Sequence, residues 1–196
     1  MLDSIIQLDQ QLLVYLHGLG SEYWDPFMLY ITKQKNWWPF FVAIFYLLYD
    51  KLGWKQLGVL IVILALFFTF TDQMTNFVKN SVMRLRPLNE PALEGMVRVL
   101  KDTKSYSFFS GHASNSMGAM VILFAVFRKY YKIAWVIFFF PLIFAYTRIY
   151  LALHYPGDIL CGYLFGIGSG IFFYQLFKYV IKRFHIKDKN NKNAFE

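Results

Sequence analysis

Apolar residues fall in five long stretches of the chain, separated by short polar or charged segments. The stretches cover residues 37–49, 57–77, 113–127, 133–150 and 159–180, and an apolar piece at 27–31 is a candidate backward extension of the first. A hydrocarbon core about 30 Å thick is crossed by about 20 predominantly apolar residues in an α-helix, and several stretches approach that length. The pattern therefore predicts membrane-spanning helices.

The N-terminal region follows a different pattern. Between residues 2 and 17, leucine and isoleucine are interleaved with aspartate and glutamine, which is typical of an amphipathic helix at a membrane interface. The sequence HGLGSEYWDPF then interrupts this helix, and a further helical piece begins at Trp24. We expect an all-α membrane bundle of about six helices, with an interfacial helix at 1–20, a membrane-embedded domain at 21–184 and a polar cytoplasmic tail at 185–196.

Composition supports the membrane assignment. Hydrophobic residues make up 57% of the 196 residues and charged residues only 16%, whereas a soluble domain carries roughly 25% charged residues. The net charge is nevertheless +8, but the chain has too little polar surface for nucleic-acid binding to explain it. The single cysteine, Cys161, excludes an intramolecular disulfide. The N-terminus lacks the features of a secretory signal, so Met1 is expected to belong to the mature protein.

The positive charges indicate an orientation. One group lies between the first two stretches, between the third and fourth, and after the last: Lys51, Lys55, Arg128, Lys129, Lys132 and the lysines and arginine of 178–192. All of these fall on one side of the membrane, which the positive-inside rule makes cytoplasmic. The loop at 84–110 and the turn at 151–158 are then outside. A second group of cations on that outer side weakens the bias and needs another explanation.

Three polar clusters should meet on the outer side, because each lies at the outer end of a predicted span. The first reads Lys79-x6-Arg86-Pro87, the second Phe109-Ser110-Gly111-His112, and the third Thr147-Arg148-x5-His154-x3-Asp158. The clusters resemble the three signatures of the type 2 phosphatidic acid phosphatase (PAP2) superfamily, K-x6-R-P, P-S-G-H and S-R-x5-H-x3-D. Two positions depart from these signatures, with Phe109 in place of proline and Thr147 in place of serine.

The resemblance implies a PAP2/haloperoxidase-like helical core and a membrane phosphatase. It also implies a phosphohistidine intermediate, for which His154 is the candidate nucleophile. Asp158 would orient the His154 ring and stabilise the imidazolium, and His112 would act as general acid and then as base.

Phosphoryl transfer also needs positive charge around the phosphate oxygens, which the candidate binding residues would supply. These residues are Lys79, Arg86, Arg148 and, at a predicted helix N-terminus that favours anions, Ser110 and Gly111. No cluster of carboxylates has metal-ligand spacing, so we expect no metal and no cofactor.

Other polar residues have plainer explanations. Arginine and lysine near helix ends often extend only to lipid headgroups, and this interpretation is assigned to Arg84, Arg98, Lys101 and Lys104. Asp72, inside the second stretch, is either a partner of a site cation or a hydrogen-bond anchor between helices. Glycines 162, 166 and 170 indicate tight helix packing.

The sequence thus predicts a membrane phosphatase of the bacterial inner membrane whose site faces the periplasm. Candidate substrates implied by the resemblance are phosphatidic acid, phosphatidylglycerophosphate, undecaprenyl pyrophosphate and the phosphates of lipid A. Two alternatives stay open: a lipid phosphotransferase that uses the same site, and a noncatalytic membrane protein that binds anionic lipid. Hydropathy argues against a soluble haloperoxidase. The sequence does not indicate an oligomeric state.

Overall fold

The computed structural model describes residues 2–101 and 103–189, and within these ranges the fold is entirely helical. Six α-helices are present there: α1 (Leu2–Gly18), α2 (Asp25–Ile31), α3 (Trp38–Val82), α4 (Gly111–Phe127), α5 (Phe139–Tyr150) and α6 (Pro156–Arg183). Short 3₁₀ turns at Gln34–Trp37, Pro87–Asn89, Pro91–Leu93 and Ala134–Phe138 connect them. The predicted all-α bundle is confirmed. Part of the predicted polar tail, 190–196, lies outside the described residues.

Helix α3 contains two of the predicted spans. Its two arms, 38–52 and 54–82, meet at Gly53, whose φ of 66° lies in the left-handed region that favours glycine. Phe41 of the first arm and Phe68 of the second line the same cavity, so the chain reverses direction at Gly53. The apolar piece at 27–31 is not a backward extension of the first span, because the 3₁₀ turn at Gln34–Trp37 separates α2 from α3.

The outer surface of the bundle suits lipid. Among the described residues, the segments Gln34–Leu93 and Pro156–Arg183 are long and apolar enough to cross a membrane, and Gly111–Phe127 and Ala134–Tyr150 are shorter apolar helices. Large apolar side chains on these helices are at least half exposed, including Leu66, Phe77, Leu164 and Phe172. Water would disfavour so large an apolar surface, whereas hydrocarbon would not.

Helices α4 and α6 pack with their backbones almost in contact. A Cβ added at Gly162 would lie 2.6 Å from the carbonyl oxygen of Ser110, and one added at Gly170 would lie 2.7 Å from that of Gly118. Gly166 lies between them and faces the backbone of Ser114 just as closely. The predicted packing role of the three glycines is confirmed, and their register aligns the N-terminal ends of α4 and α6.

The remaining helices enclose this pair. Leu60, Phe67, Ile122 and Phe177 are fully or almost fully buried between the second arm of α3, α4 and α6. At the opposite end from the Gly53 turn, α1 packs on the bundle through Leu13, which is fully buried in a cluster with residues of α5 and α6. The N-terminal segment is therefore helical and in contact with the bundle; its predicted interfacial location remains a prediction.

Gly166→Ala is expected to destabilise the protein by about 1–3 kcal/mol, because the new methyl group has no space against the α4 backbone. Gly168→Ala is the matched control, since it lies on the same helix and a Cβ there meets nothing within 4 Å. The control should be neutral or slightly stabilising. Unfolding of both variants in detergent measures the difference, and equal stabilities would contradict the packing described above.

Candidate active site

The three predicted clusters converge at one end of the bundle. Lys79 lies near the end of α3, Arg148 near the end of α5, and His112 at the start of α4. Coulombic interactions connect His112 with residues of the other two clusters, namely Arg148, His154, Lys79 and Arg86. The residues singled out in the sequence therefore form one site, although they are up to 79 positions apart in the chain.

His154 and Asp158 form a buried pair at the start of α6. The Nδ1 atom of His154 lies 3.5 Å from Oδ2 of Asp158, and the two side chains are 1% and 0% exposed. The same carboxylate oxygen accepts a hydrogen bond of 3.0 Å from the backbone N–H of Tyr155, which holds it at the helix N-terminus. Catalytic hydrogen bonds often shorten when substrate binds, so this geometry suits the orienting role predicted for Asp158.

The environment of His154 favours a neutral ring. Burial lowers the pKa of His154 to about 4, although the neighbouring Asp158 carboxylate acts in the opposite direction. With Nδ1 facing Asp158, the proton belongs on Nδ1 and the lone pair on Nε2. Nε2 lies 3.4 Å from Nη1 of Arg86, so the predicted nucleophilic atom faces a positive charge.

Arg86 is fixed by the loop that precedes α4. Its Nε donates to the carbonyl oxygen of Ser105 at 2.7 Å, its Nη2 donates to the hydroxyl of Ser105 at 2.8 Å, and its Nη1 donates to the carbonyl oxygen of Leu153 at 2.8 Å. A guanidinium has five N–H donors. Nη1 also lies 3.4 Å from Nε2 of His154, so one N–H of Nη2 is left for a ligand.

Arg148 is also buried and only partly paired. Its Nη2 donates to the carbonyl oxygen of Thr32 at 3.1 Å, and its guanidinium lies 5.0 Å from the centre of the Phe144 ring. Within the described ranges its buried Nε has no hydrogen-bond partner. A buried donor without a partner is costly, which makes Arg148 a strong candidate for binding an anion.

The start of α4 presents backbone donors rather than the Ser110 side chain. Ser110 caps the helix, its hydroxyl accepts from the N–H of Ala113 at 3.3 Å, and its own N–H donates to the carbonyl oxygen of Asp158 at 3.0 Å. Ser110 is fully buried. Its N–H and its hydroxyl are thus both in contacts within the protein, its predicted phosphate-binding role remains a prediction, and the first-turn N–H groups of Gly111 and His112 are the candidate donors.

A cavity of about 340 Å³ opens beside His112, between the two arms of α3, α4 and α5. Lys79 and His112 lie on its wall, whereas His154 and Arg86 do not line it. Its other lining residues are both polar and aromatic, among them Gln34, Asp72, Asn76, Asn115, Phe68, Phe140 and Phe144. The cavity can therefore receive the polar and apolar parts of one amphipathic molecule next to the predicted acid.

The two departures from the family signatures have packing roles. Thr147 keeps a hydroxyl that lies 2.9 Å from that of Thr32 and also donates to the carbonyl oxygen of Phe144. Phe109 is buried, with its ring centre 5.0 Å from that of Phe165.

The structure distinguishes between the two interpretations proposed for Asp72. Its Oδ1 accepts a hydrogen bond of 2.7 Å from the side-chain amide of Asn115, which lies on α4. Asn115 also contacts the hydroxyl of Thr71 on α3. Asp72 is therefore a hydrogen-bond anchor between α3 and α4.

The lipid-headgroup interpretation was wrong for Arg84 and Arg98. Arg84 donates to Asp158 at 2.7 Å and to Asp9 at 2.8 Å. Arg98 pairs with both carboxylate oxygens of Asp25, at 2.8 and 2.7 Å. No sequence pattern indicated Asp9, because α1 contacts the site only through tertiary packing. The described residues contain no group of three or more His, Cys, Asp or Glu side chains placed for a metal ion, and metal independence remains a prediction.

Comparison with known proteins places these features in context. The sequence model of the PAP2 superfamily matches residues 56–182. A lipid A 4'-phosphatase of Bacteroides thetaiotaomicron is 36% identical over 178 residues, covering 89% of this chain and 79% of that protein. A second lipid A 4'-phosphatase, from Porphyromonas gingivalis, is 26% identical over 186 residues, with coverage of 93% and 78%.

A solved structure has the same fold. It is the crystal structure of a transmembrane PAP2 type phosphatidylglycerolphosphate phosphatase from Bacillus subtilis, with a TM-score of 0.69 at 20% sequence identity. The alignment covers 92% of this chain and 89% of the solved one.

Arg86→Lys is expected to weaken binding of orthovanadate by roughly 10- to 100-fold, the equivalent of losing one or two charge-assisted hydrogen bonds. Lysine keeps the charge but cannot contact Ser105 and Leu153 together. Ser105→Ala removes one acceptor from the same network and should cost less than roughly tenfold. Calorimetric titration in detergent measures both, and equal affinity of Arg86→Lys and the wild type would contradict the assignment.

Proposed function

The chain belongs to the PAP2 superfamily and is a membrane lipid phosphatase, and from this premise we propose that it removes a phosphate monoester from a phosphorylated saccharide lipid of the lipid A type, by way of a phosphohistidine at His154. The main support for the proposal is the buried pair of His154 and Asp158, in which Nε2 of His154 faces Arg86. A binding protein has no need of a nucleophile with its own orienting carboxylate.

In the first step, Nε2 of His154 attacks phosphorus and the bond from phosphorus to the lipid oxygen breaks. His112 donates its proton to that oxygen, so the lipid leaves as a neutral alcohol. The His154 ring, which keeps its proton on Nδ1, becomes positively charged as the nitrogen–phosphorus bond forms. The Asp158 carboxylate, 3.5 Å from Nδ1, stabilises that charge.

In the second step, the now neutral His112 accepts a proton from water, and the resulting hydroxide attacks phosphorus. The bond between phosphorus and Nε2 breaks, which returns His154 to its neutral form and releases inorganic phosphate. His112 is again protonated and ready for the next turnover. Proton and bond changes balance over the two steps without another reactant.

Positive charge around the phosphoryl group stabilises both transition states. Arg86 lies 3.4 Å from the reacting Nε2, and Arg148 offers its Nε, which has no partner among the described residues. Lys79 lies on the cavity wall beside His112, where it can contact the phosphate from the substrate side. The backbone donors of Gly111 and His112 add the positive end of the α4 dipole.

Two observations support a saccharide lipid as substrate. The Bacteroides thetaiotaomicron and Porphyromonas gingivalis relatives, which match about nine-tenths of this chain, are named lipid A 4'-phosphatases. The cavity beside His112 also carries amide and carboxylate side chains, which suit sugar hydroxyls, next to phenylalanines that suit acyl chains.

The arrangement of basic segments supports a site on the outer face of the inner membrane, with the C-terminal end in the cytoplasm. The segment after α6 docks on the Gly53 turn, where Gln56 donates to the carbonyl oxygen of Ile186 at 2.8 Å. Lys51 lies 5.6 Å from the ring centre of Tyr131 in the α4–α5 connection. Three lysine-rich segments therefore share one end of the bundle, opposite the candidate site, as the positive-inside rule requires of a cytoplasmic face.

Cysteine labelling checks this orientation. In a Cys161→Ser background, a cysteine at Glu94 is expected to react with an impermeant maleimide in cells whose outer membrane has been permeabilised. A cysteine at Lys187, an exposed residue at the basic end, should react only after lysis. The opposite pattern would reverse the proposed orientation.

The substrate assignment is tested with purified protein, lipid A, phosphatidic acid, phosphatidylglycerophosphate and undecaprenyl pyrophosphate in detergent micelles containing a chelator. Lipid A is expected to have the highest kcat/KM, and His154→Ala is expected to lower its turnover by roughly 10³-fold or more. His185→Ala, an exposed histidine at the opposite end, is the matched control and should keep wild-type turnover.

Three results would contradict parts of the proposal. Preference for another lipid of the panel would overturn the substrate, and full turnover by His154→Ala would overturn the nucleophile. Phosphate appearing on an acceptor lipid instead of in solution would identify a phosphotransferase.

A further inference from the structure

The N-terminal helix reaches the candidate site through one carboxylate, that of Asp9. Its Oδ1 accepts a hydrogen bond of 2.8 Å from the backbone N–H of Gly157 at the start of α6, and its Oδ2 accepts one of 2.8 Å from Nη2 of Arg84. The side chain is only 13% exposed. Asp9 lies outside the residues 56–182 that match the family, and the mechanism above does not use it.

Arg84 connects Asp9 to the carboxylate that faces His154. Its Nη1 donates to Oδ1 of Asp158 at 2.7 Å, while its planar group lies 3.8 Å from the ring centre of Tyr155. A guanidinium is rigid, so its two terminal nitrogens hold their acceptors at a fixed separation. The position of Asp9 therefore helps to determine where Arg84, and with it Asp158, sits relative to the imidazole.

The negative charge of Asp9 also affects the charge balance around His154. With His154 neutral, the chain His154–Asp158–Arg84–Asp9 carries one net negative charge, and it becomes neutral when phosphorylation makes the imidazole positive. Without the Asp9 charge, phosphorylation of His154 would leave this chain of residues with a net charge of +1. The site already contains Lys79, Arg86 and Arg148, so an extra uncompensated positive charge would oppose attack.

We propose that Asp9 is a positioning residue for the reaction: by neutralising Arg84 it leaves the Asp158 carboxylate free to stabilise His154. The inference rests on the proposed role of His154 as nucleophile. It gives the N-terminal helix a part in catalysis that its amphipathic pattern did not indicate.

The test compares Asp9→Asn with wild-type protein in detergent, using lipid A as substrate, or phosphatidic acid if lipid A is not turned over. Asparagine keeps the shape and an acceptor for Gly157 but removes the charge. We expect kcat to fall by roughly tenfold or more, equivalent to about 1.4 kcal/mol of transition-state stabilisation, with KM within about twofold of wild type. Asp3→Asn, which removes an exposed charge from the same helix, is the control and should change neither parameter.

The pH profile separates this role from a purely structural one. His154 must be neutral to attack, so its protonation produces the acid limb of kcat/KM. Removing the Asp9 charge disfavours the protonated imidazole, and the acid limb of Asp9→Asn should therefore move to lower pH. The other charged or titratable groups facing His154 are unchanged in this variant: Asp158, Arg86, Lys79 and His112.

A double-mutant cycle that combines Asp9→Asn with Arg84→Gln tests whether Asp9 acts through Arg84. If Asp9 acts through Arg84, the effect of Asp9→Asn on kcat should shrink to within about twofold in the Arg84→Gln background. If Asp9→Asn does not fold, Arg84→Lys provides the same readout, since lysine keeps the charge but cannot hold two carboxylates. Arg84→Lys should then lose kcat with the acid limb displaced from its wild-type position.

A folded Asp9→Asn variant with wild-type kcat and pH profile, or with a change confined to KM, would overturn the inference. Additive effects of the two substitutions in the double-mutant cycle would also overturn it. Where Arg84→Lys supplies the test, wild-type kinetics of that variant would do the same. These outcomes are distinguishable from failure of the proposed function. If His154 is not the nucleophile, His154→Ala will retain turnover in the same assay, whatever Asp9→Asn does.

Discussion

The close approach of α4 and α6 is the constraint on which the rest of the structure depends. Glycines 162, 166 and 170 remove the side chains that would otherwise separate the two backbones. The two N-terminal ends are thereby close enough for the N–H of Ser110 to donate to the carbonyl oxygen of Asp158 at 3.0 Å. This bond joins the start of α4, which carries the candidate general acid and backbone donors, to the start of α6, which carries Asp158 and follows the candidate nucleophile His154.

A bundle interior penalises charge, and this site contains several charged side chains. The cost is met by pairing: Asp158 accepts from Arg84 and from the Tyr155 N–H, and Arg86 donates to three oxygens of its surrounding loops. In the part of the chain that the structure describes, the buried Nε of Arg148 has no hydrogen-bond partner, and an anion would satisfy it. Folding therefore prepares the site for a phosphate and leaves His154 neutral within it.

The sequence predicted the features that depend on local pattern or on family signatures. The helical spans followed from hydropathy, and the glycine stripe on α6 correctly indicated tight packing. The sequence did not predict the partners of Arg84, since Asp9 is 75 positions away and belongs to a helix whose pattern indicated only a location at the membrane interface. The cap formed by Ser110 could not be predicted either, because a serine at a helix start serves equally as a cap or as an anion ligand, and only its contacts show that its hydroxyl accepts from Ala113.

The central claim is that His154 carries the phosphoryl group between the two steps. The most direct measurement is rapid quenching of the enzyme during turnover of lipid phosphate, followed by mass spectrometry of the peptide that contains His154 under alkaline conditions, in which phosphohistidine survives. The prediction is a phosphorylated His154 that forms before phosphate is released. Turnover with no phosphate on His154 at any time, or with phosphate on another residue, would contradict it.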